Sequence, residues 1–161
     1  MEIERRLEQL GLRLPPEPQP PKGVALPFRW VRLHGQVAFV SGHGPQRADG
    51  TLVSPGKVGS EVSPQQAYEA ARLSTLAILG SLQRALGDLD RIAAWLSIAG
   101  HIAVAPGFNR TTQVINGCSD LLLELFGAEV GAHARTAIGV AELPLGLPVV
   151  ISAEVALTAK S

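Results

Sequence analysis

A stretch without charged residues places the strongest constraint on how this chain can fold. No Asp, Glu, Lys or Arg occurs from Ile92 to Asn109, a length that could in principle cross a membrane as a helix. The stretch contains Gly100 and Pro106 and several β-branched residues, which suit a strand better than a spanning helix. We therefore expect a long buried strand from Ile92 to Ala105 that runs into a loop.

The remaining composition is typical of one soluble domain. The chain has 161 residues, with 14 Lys and Arg against 14 Asp and Glu. A formal charge of zero offers no general attraction to phosphate backbones, so we expect neither nucleic acid nor a membrane as a partner. The single cysteine, Cys118, cannot form an internal disulfide, and the charged residues after Met1 do not resemble a secretory signal. We expect a cytoplasmic location.

Two segments precede the main domain. Apolar residues from Glu2 to Leu10 recur at helical spacing, and Gly11 follows where a C-terminal cap is expected. The proline-rich run from Pro15 to Pro21 favours an extended strap, because proline cannot donate a backbone hydrogen bond. We assign residues 1–23 to this N-terminal helix and strap and residues 24–161 to the main domain.

The main domain is predicted to be an α+β sandwich, with one sheet covered on one face by two helices. Ser63 is the expected N-cap of the first of these helices, with Gln66 completing a capping box. The expected strands are Phe28–Leu33, Val37–Val40, Ile92–Ala105, Arg135–Leu143 and Val149–Leu157, and the expected helices run from Ser63 to about Leu86 and from Thr111 to Phe126, before Gly127. Because the Ile92 strand is apolar on both faces, we expect identical neighbours to cover the second face in a closed homo-oligomer.

No metal or cofactor site is indicated. The four histidines, His34, His43, His101 and His133, lack the spacing of metal ligands. Phosphate loops, dinucleotide-binding glycine motifs and nucleophile elbows do not occur in the sequence. Cys118 is expected in the middle of a helix, where a thiol usually serves as a small core side chain rather than a nucleophile.

Arg135 is the strongest candidate for binding chemistry. The period of a strand puts His133 and Arg135 on the same side, among small and apolar residues. A guanidinium in such a strand is costly unless it is paired. One interpretation is an internal ion pair with Glu142, Glu154 or Asp120. The other is that Arg135 holds the carboxylate of a substrate, for which its planar group is well shaped.

Two motifs around these residues resemble a known family. Arg135 is followed by the sequence VAELP (140–144) and preceded far upstream by VSGHGP (40–45). The chain resembles, over about residues 24 to 158, the RidA/YjgF family, also called ribonuclease L-PSP or translation-inhibitor-like. This resemblance implies a chorismate-mutase-like fold and a homotrimer with a central barrel-like core and clefts between subunits. The initial helix and strap, the SGHGP motif and residues 116–121 resemble a distinct branch of the family.

The resemblance also implies an activity and a set of site residues. The well-studied branch hydrolyses reactive enamines and imines to 2-keto acids and ammonia. By resemblance, Arg135 matches the arginine that grips the substrate carboxylate, while Ser41, Gly42 and Asn116 match further substrate contacts. A small-molecule carboxylate is therefore the expected ligand.

The sequence departs from the family pattern at several positions. His133 stands where the family usually has proline, and Ala137 stands where a cysteine is often found. Ser152 occupies the position of the glutamate that orients the attacking water. Glu154 lies two residues further on, and could replace that glutamate only if the preceding turn were reorganised.

Histidines and a further glutamate remain as candidates for proton transfer. His43 is expected in a glycine-flanked loop, where it either contacts ligand and exchanges protons or forms a surface or subunit contact. His133 is expected to touch ligand or to bond across a subunit boundary, and Glu142 is a further candidate proton carrier. His34 and His101 are expected to be structural.

Two functional hypotheses follow. The first is an enamine or imine deaminase that uses Arg135 as a carboxylate clamp, with His43, Glu142 or Glu154 handling protons. The second is a trimer that binds a small carboxylate, for regulation, without turning it over. An endoribonuclease is a weaker third hypothesis, because no basic stripe interleaved with aromatic residues occurs in a chain with two Trp, one Tyr and four Phe.

Overall fold

The computed structural model describes residues 1–160, in which three helices accompany one mixed five-stranded sheet. This is the predicted α+β arrangement. The helices are α1 (Glu2–Gln9), α2 (Pro64–Leu86) and α3 (Thr111–Val130), and the strands are β1 (Val31–His34), β2 (Val37–His43), β3 (Ile92–Ala103), β4 (Ala134–Val140) and β5 (Val149–Leu157).

The strand order is β1-β2-β5-β3-β4. Strands β3 and β4 are parallel, and all other neighbours are antiparallel. Arg135 on β4 is level with Ile98 on β3, which is in turn level with Ala153 on β5. Ile98 and Ala153 are buried under the helices, so Arg135 lies on the helix-covered face of the sheet.

A β-bulge changes which residues of β3 lie on each face of the sheet. The pairing of β3 with β5 shifts between Trp95 and Ser97. Strict alternation places Trp95 and Ile98 on opposite faces, yet both are buried, because the bulge inserts an extra residue between them. Regular alternation of buried and less buried residues along β3 therefore begins only at Ser97.

The long helix α2 begins and ends as predicted. The Ser63 hydroxyl accepts a hydrogen bond from the Gln66 backbone N–H at 3.1 Å, and the Gln66 side chain accepts one from the Ser63 N–H at 2.9 Å. Gly87 ends the helix in the left-handed conformation. Helix α3 packs closely on α2 at Gly117, where a Cβ atom would lie 2.1 Å from the carbonyl oxygen of Tyr68.

The N-terminal segments pack onto the main domain. Ile3 and Leu7 of α1 are buried in the common hydrophobic core. The strap is held at two carbonyls, because the Arg84 side chain donates to Pro15 at 3.1 Å and the Gln46 amide donates to Pro16 at 3.0 Å. Helix α1 thus shares the core of the domain, and the start of the strap is hydrogen-bonded to it.

Several boundaries differ from the predicted ones. Strand β1 starts later, at Val31, and β2 continues through the SGH sequence to His43. Helix α3 is interrupted at Gly127, which has a φ of 79°, but resumes to Val130. Strand β4 stops at Val140 instead of Leu143. The uncharged stretch forms β3, and none of the helices within residues 1–160 has the length and apolar character that crossing a membrane requires.

The second face of the sheet carries exposed apolar side chains. Phe39 on β2 is 44% exposed, Leu96 on β3 is 42% exposed and Ile138 on β4 is 49% exposed. These residues lie opposite the helix-covered face. We call this surface, formed by Phe39, Leu96, Ile138 and their neighbours on the same side, the open face.

Candidate active site

Arg135 is held against helix α3 by neutral groups. Its Nη1 donates a hydrogen bond to the Ser119 hydroxyl at 2.9 Å, and its Nη2 donates to the Thr112 carbonyl at 3.1 Å. The side chain is half-buried. A guanidinium has five N–H donors, so these two bonds leave donors for a further acceptor.

Ser119 also connects Arg135 to His133. The Ser119 hydroxyl oxygen lies 2.8 Å from Nε2 of His133, while Nδ1 of His133 lies 2.8 Å from the carbonyl oxygen of Gly131. A carbonyl oxygen can only accept, which assigns the ring hydrogen to Nδ1 and leaves Nε2 as an acceptor. The Ser119 hydroxyl therefore donates to Nε2 and accepts from Arg135.

Asn116 shares the side of α3 that faces Arg135. Thr112, Asn116 and Ser119 follow one another at spacings of four and three residues, which places them along one stripe of the helix. Asn116 is half-buried between the two residues of α3 that Arg135 contacts. The structure thus brings Arg135 and His133 together through Ser119 and places Asn116 on the same stripe of α3.

The acidic partners considered for Arg135 are engaged elsewhere or exposed. Within residues 1–160, Arg135 forms no ion pair with a carboxylate. Asp120 accepts a hydrogen bond from the Tyr68 hydroxyl at 2.7 Å. Glu142 lies 3.0 Å from the ammonium of Lys57, beyond the far end of β4 and more than about 16 Å along the strand from Arg135. The interpretation of an internal ion pair is therefore wrong.

The fold is shared with known proteins of one family. A family model described as "YjgF/chorismate mutase-like, putative endoribonuclease" matches residues 4–154. The chain belongs to this family. It is 36% identical over 156 residues to Protein TCP17 of Trypanosoma cruzi, covering 96% of this chain and 94% of that protein.

Solved structures of YjgF-fold proteins are also similar. Atu1372 of Agrobacterium tumefaciens, described as having unknown function, is 34% identical with a TM-score of 0.85, over 97% of this chain and 92% of that one. A protein of Shewanella oneidensis described as a "putative endoribonuclease" is 30% identical with a TM-score of 0.88, over 98% of this chain and 100% of that one. The resemblance stated from the two motifs is thus confirmed at the level of family and fold.

In this YjgF chain, Ser152 and Glu154 lie away from Arg135. Both flank Ala153, which shares a row of the sheet with Arg135, so alternation along β5 puts them on the open face. Glu154 is exposed there and is level with Ser97 and Phe39. One chain by itself therefore does not place Glu154 beside the Arg135 guanidinium.

Ser41 and Gly42 are also distant from Arg135 within one chain. They lie on β2, which is separated from β4 by two strands, or about 14 Å across the sheet. The Ser41 hydroxyl donates to the Arg29 carbonyl at 2.7 Å. Gly42 borders an apolar cavity of about 420 Å³ between the proline strap and the turn at residues 144–147. Within one chain, Ser41 and Gly42 therefore belong to a region that is separate from the residues around Arg135.

His43 is a buried residue at the end of β2, so the expectation of a loop is wrong. Its side chain is 1% exposed, with Nδ1 hydrogen-bonded to the Ser41 carbonyl and Nε2 to the Ser81 hydroxyl at 2.8 Å. Burial lowers the pKa of His43 to about 4, and the nearby Arg84 acts in the same direction. A neutral, enclosed imidazole of this kind does not exchange protons with a ligand near neutral pH.

One acidic cluster has oxygen atoms close enough together to hold a cation, but its carboxylates are hydrogen-bonded to the amino terminus and the backbone. Carboxylate oxygens of Glu4, Asp88 and Asp90 lie within 4.8 Å of one another. Asp90 accepts hydrogen bonds from the Met1 amino group and from the backbone of Glu2 and Ile3. Glu4 accepts one from the Leu89 backbone. The cluster thus fixes the start of α1 against the turn before β3.

Sequence reasoning missed Ser119. It lies within residues 116–121, the stretch that resembles a distinct branch, but that resemblance gives Ser119 no role, and its two side-chain partners lie 14 and 16 residues further along the chain. The signal available was positional: Ser119 lies three residues after Asn116, and therefore on the same helical stripe. His34 is exposed on β1 and His101 is half-buried on the open face, and neither touches this group of residues.

Proposed function

We propose that this YjgF-family chain binds a small carboxylate-bearing metabolite through Arg135. The observation that supports this most directly is the half-buried guanidinium, which makes hydrogen bonds to two neutral oxygens and, among residues 1–160, to no carboxylate. Partial burial without a counter-charge is unfavourable. A carboxylate that accepts two parallel N–H bonds would supply the missing charge.

We further propose that binding takes place in a homotrimer with a cleft between subunits. The open face exposes Phe39, Leu96 and Ile138, and a second copy of the chain would bury them. Ser41 and Gly42 lie too far from Arg135 to act on the same ligand within one chain. A neighbouring subunit could bring its own β2 towards Arg135, as the family resemblance implies.

Carboxylate binding is favoured here over enamine or imine hydrolysis. Hydrolysis needs a base to activate water, and Glu142 and Glu154 both lie away from Arg135 in the chain. The deaminase hypothesis would need a base other than these two glutamates and the enclosed His43. The endoribonuclease activity in the family description is not proposed, because the net charge of zero gives no attraction to RNA.

Calorimetric titration of the full-length protein with 2-keto acids and aromatic carboxylates tests the proposal. We expect saturable binding that is lost in Arg135→Ala and at least about tenfold weaker in Arg135→Lys, because a lysine cannot form the two parallel bonds. Arg5→Ala removes an equal charge from the exposed side of α1 and should bind like the wild type. Binding that is unchanged in Arg135→Ala would overturn the proposal.

A coupled assay with freshly generated 2-aminoacrylate separates the two hypotheses. A binding protein leaves the rate of 2-keto acid formation unchanged, whereas a deaminase accelerates it and loses the acceleration in Arg135→Ala. Sedimentation of the wild type gives the number of subunits. A monomer at micromolar concentration would contradict the proposed trimer.

A further inference from the structure

The chain contains the arrangement of Ser119, His133 and Arg135 twice. In the second copy, the Ser81 hydroxyl lies 2.8 Å from Nε2 of His43 and accepts from Nη2 of Arg84 at 3.1 Å. In both copies, Nδ1 of the histidine is bonded to a backbone carbonyl two residues earlier in the chain. One link between an arginine, a serine and a histidine thus joins each of the two long helices to the sheet.

The two copies differ in their access to solvent. Ser81 is 4% exposed and His43 is 1% exposed, whereas Ser119 and His133 are both half-buried. The Ser81 copy shows that these hydrogen bonds can hold a helix against a strand without contact with solvent. The Ser119 copy makes the same hydrogen bonds with side chains that are partly exposed to solvent.

The geometry around Ser119 meets the requirements for an activated nucleophile. Its hydroxyl donates to a ring nitrogen that can accept the proton, and the histidine is oriented by a bond at its other nitrogen. Arg135 donates to Ser119 Oγ at 2.9 Å, and its remaining N–H donors beside Ser119 can stabilise negative charge that develops on a carbonyl oxygen there. These are the roles of nucleophile, base and anion stabiliser.

We propose that Ser119 is the nucleophile of an acyl-transfer site that takes small esters or thioesters. Ser119 Oγ bonds to the carbonyl carbon while its proton passes to Nε2 of His133. The carbonyl oxygen becomes negative and accepts from Arg135. The bond to the alcohol or thiol then breaks, and this group leaves with the proton from His133.

Water completes the reaction. His133 takes a proton from a water molecule, whose oxygen attacks the acyl group on Ser119. The acid is released and the serine recovers its proton, so the balance is one ester and one water to one acid and one alcohol or thiol. An ester with a second, free carboxylate suits the remaining donors of Arg135, and only this preference rests on the proposed carboxylate-binding function.

Labelling of the full-length protein with an uncharged fluorophosphonate tests the nucleophile without relying on carboxylate binding. Ser119 Oγ bonds to phosphorus, fluoride leaves and His133 takes the proton. We expect one phosphonyl group per chain, located at Ser119 by peptide mass spectrometry and lost in Ser119→Ala. In His133→Gln, which keeps a polar group near Ser119 but no base, labelling should be about a hundredfold slower.

Ser81→Ala is the matched control, because it removes the hydroxyl of the enclosed copy, and it should label at the wild-type rate. Thermal unfolding checks that each variant is folded, and the peptide map of the wild type locates the label even if Ser119→Ala does not fold. Absence of label at Ser119 after prolonged incubation, label at other serines only, or equal rates in wild type and His133→Gln would each overturn the proposal. Loss of carboxylate binding alone would leave it standing.

Discussion

The Nε2 atom of His43 lies 2.8 Å from the hydroxyl oxygen of Ser81 in the core of the domain. Burial lowers the pKa of this histidine from 6.5 to about 4 in the folded chain. The unfolded chain therefore binds a proton more readily, and stability falls as the pH drops from about 6.5 towards 4. The shift corresponds to a total loss of about 3 kcal/mol from this group.

Urea unfolding from about pH 7.5 to about pH 4.5 measures this dependence on pH. We expect His43→Gln to be less stable at neutral pH but to lack the part of the acid-side loss that comes from His43. The control is His34→Gln, which removes an exposed histidine and should keep the wild-type slope. An unchanged slope in His43→Gln would contradict the assignment.

The open face provides a prediction about assembly. Phe39→Asp places a charge where the proposed trimer would bury a ring, and a desolvated, unpaired carboxylate is strongly unfavourable. We expect this variant to sediment as a monomer of 16.9 kDa. Leu123→Asp is the matched control, since Leu123 is 42% exposed on α3 and Phe39 is 44% exposed on the sheet. Dissociation of both variants alike would argue against the open face as the interface.

The contact between α2 and α3 at Gly117 predicts a large loss of stability on adding one methyl group. In Gly117→Ala the new Cβ would lie 2.1 Å from the Tyr68 carbonyl oxygen, so the helices must separate. We expect the free energy of unfolding to fall by about 3 kcal/mol or more. Gly87→Ala makes the same chemical change where no atom lies within 4 Å, at a φ of 80°. It should lose only about 1 kcal/mol through backbone strain, and equal losses would refute the close contact.

Cys118 is predicted to be unreactive in the folded protein. Its side chain is fully buried, and burial raises the pKa of the thiol to about 11. Because the thiolate is the reactive form, iodoacetamide should leave Cys118 unmodified in the native state and modify it quickly in urea. A thiol introduced by Ser54→Cys on the exposed surface should react in both conditions. Rapid modification of native Cys118 would show that the helix opens.

Local sequence signals predicted much of the fold. The boundaries of β5 and the cap at Ser63 follow from alternation and from a capping box, both of which involve residues close in the chain. The burial of both Trp95 and Ile98 does not follow from alternation, because a bulge depends on pairing with another strand. His43 was placed in a loop because its glycine neighbours suggest a turn, whereas β5 pairs with it and holds it in a strand.

Only part of the candidate site could be predicted, because local sequence signals do not report tertiary contacts. Arg135 and His133 follow from the period of one strand. Ser119 belongs to the site only because α3 packs on β4, and such tertiary contacts leave no local pattern. Glu154 shares the face of Ser152, two residues earlier on the same strand, but the register of β5 against β3 puts that face opposite Arg135.

Strand order has a consequence for how the protein is made. The central strand, β5, is the last of the five along the chain, and it alone joins the β1–β2 hairpin to the β3–β4 pair. Until residues 149–157 leave the ribosome, the nascent polypeptide carries two separate half-sheets whose inner edges are unpaired. Completion of the fold is therefore a late, long-range event during translation, and the interval before it is when aggregation is most favoured.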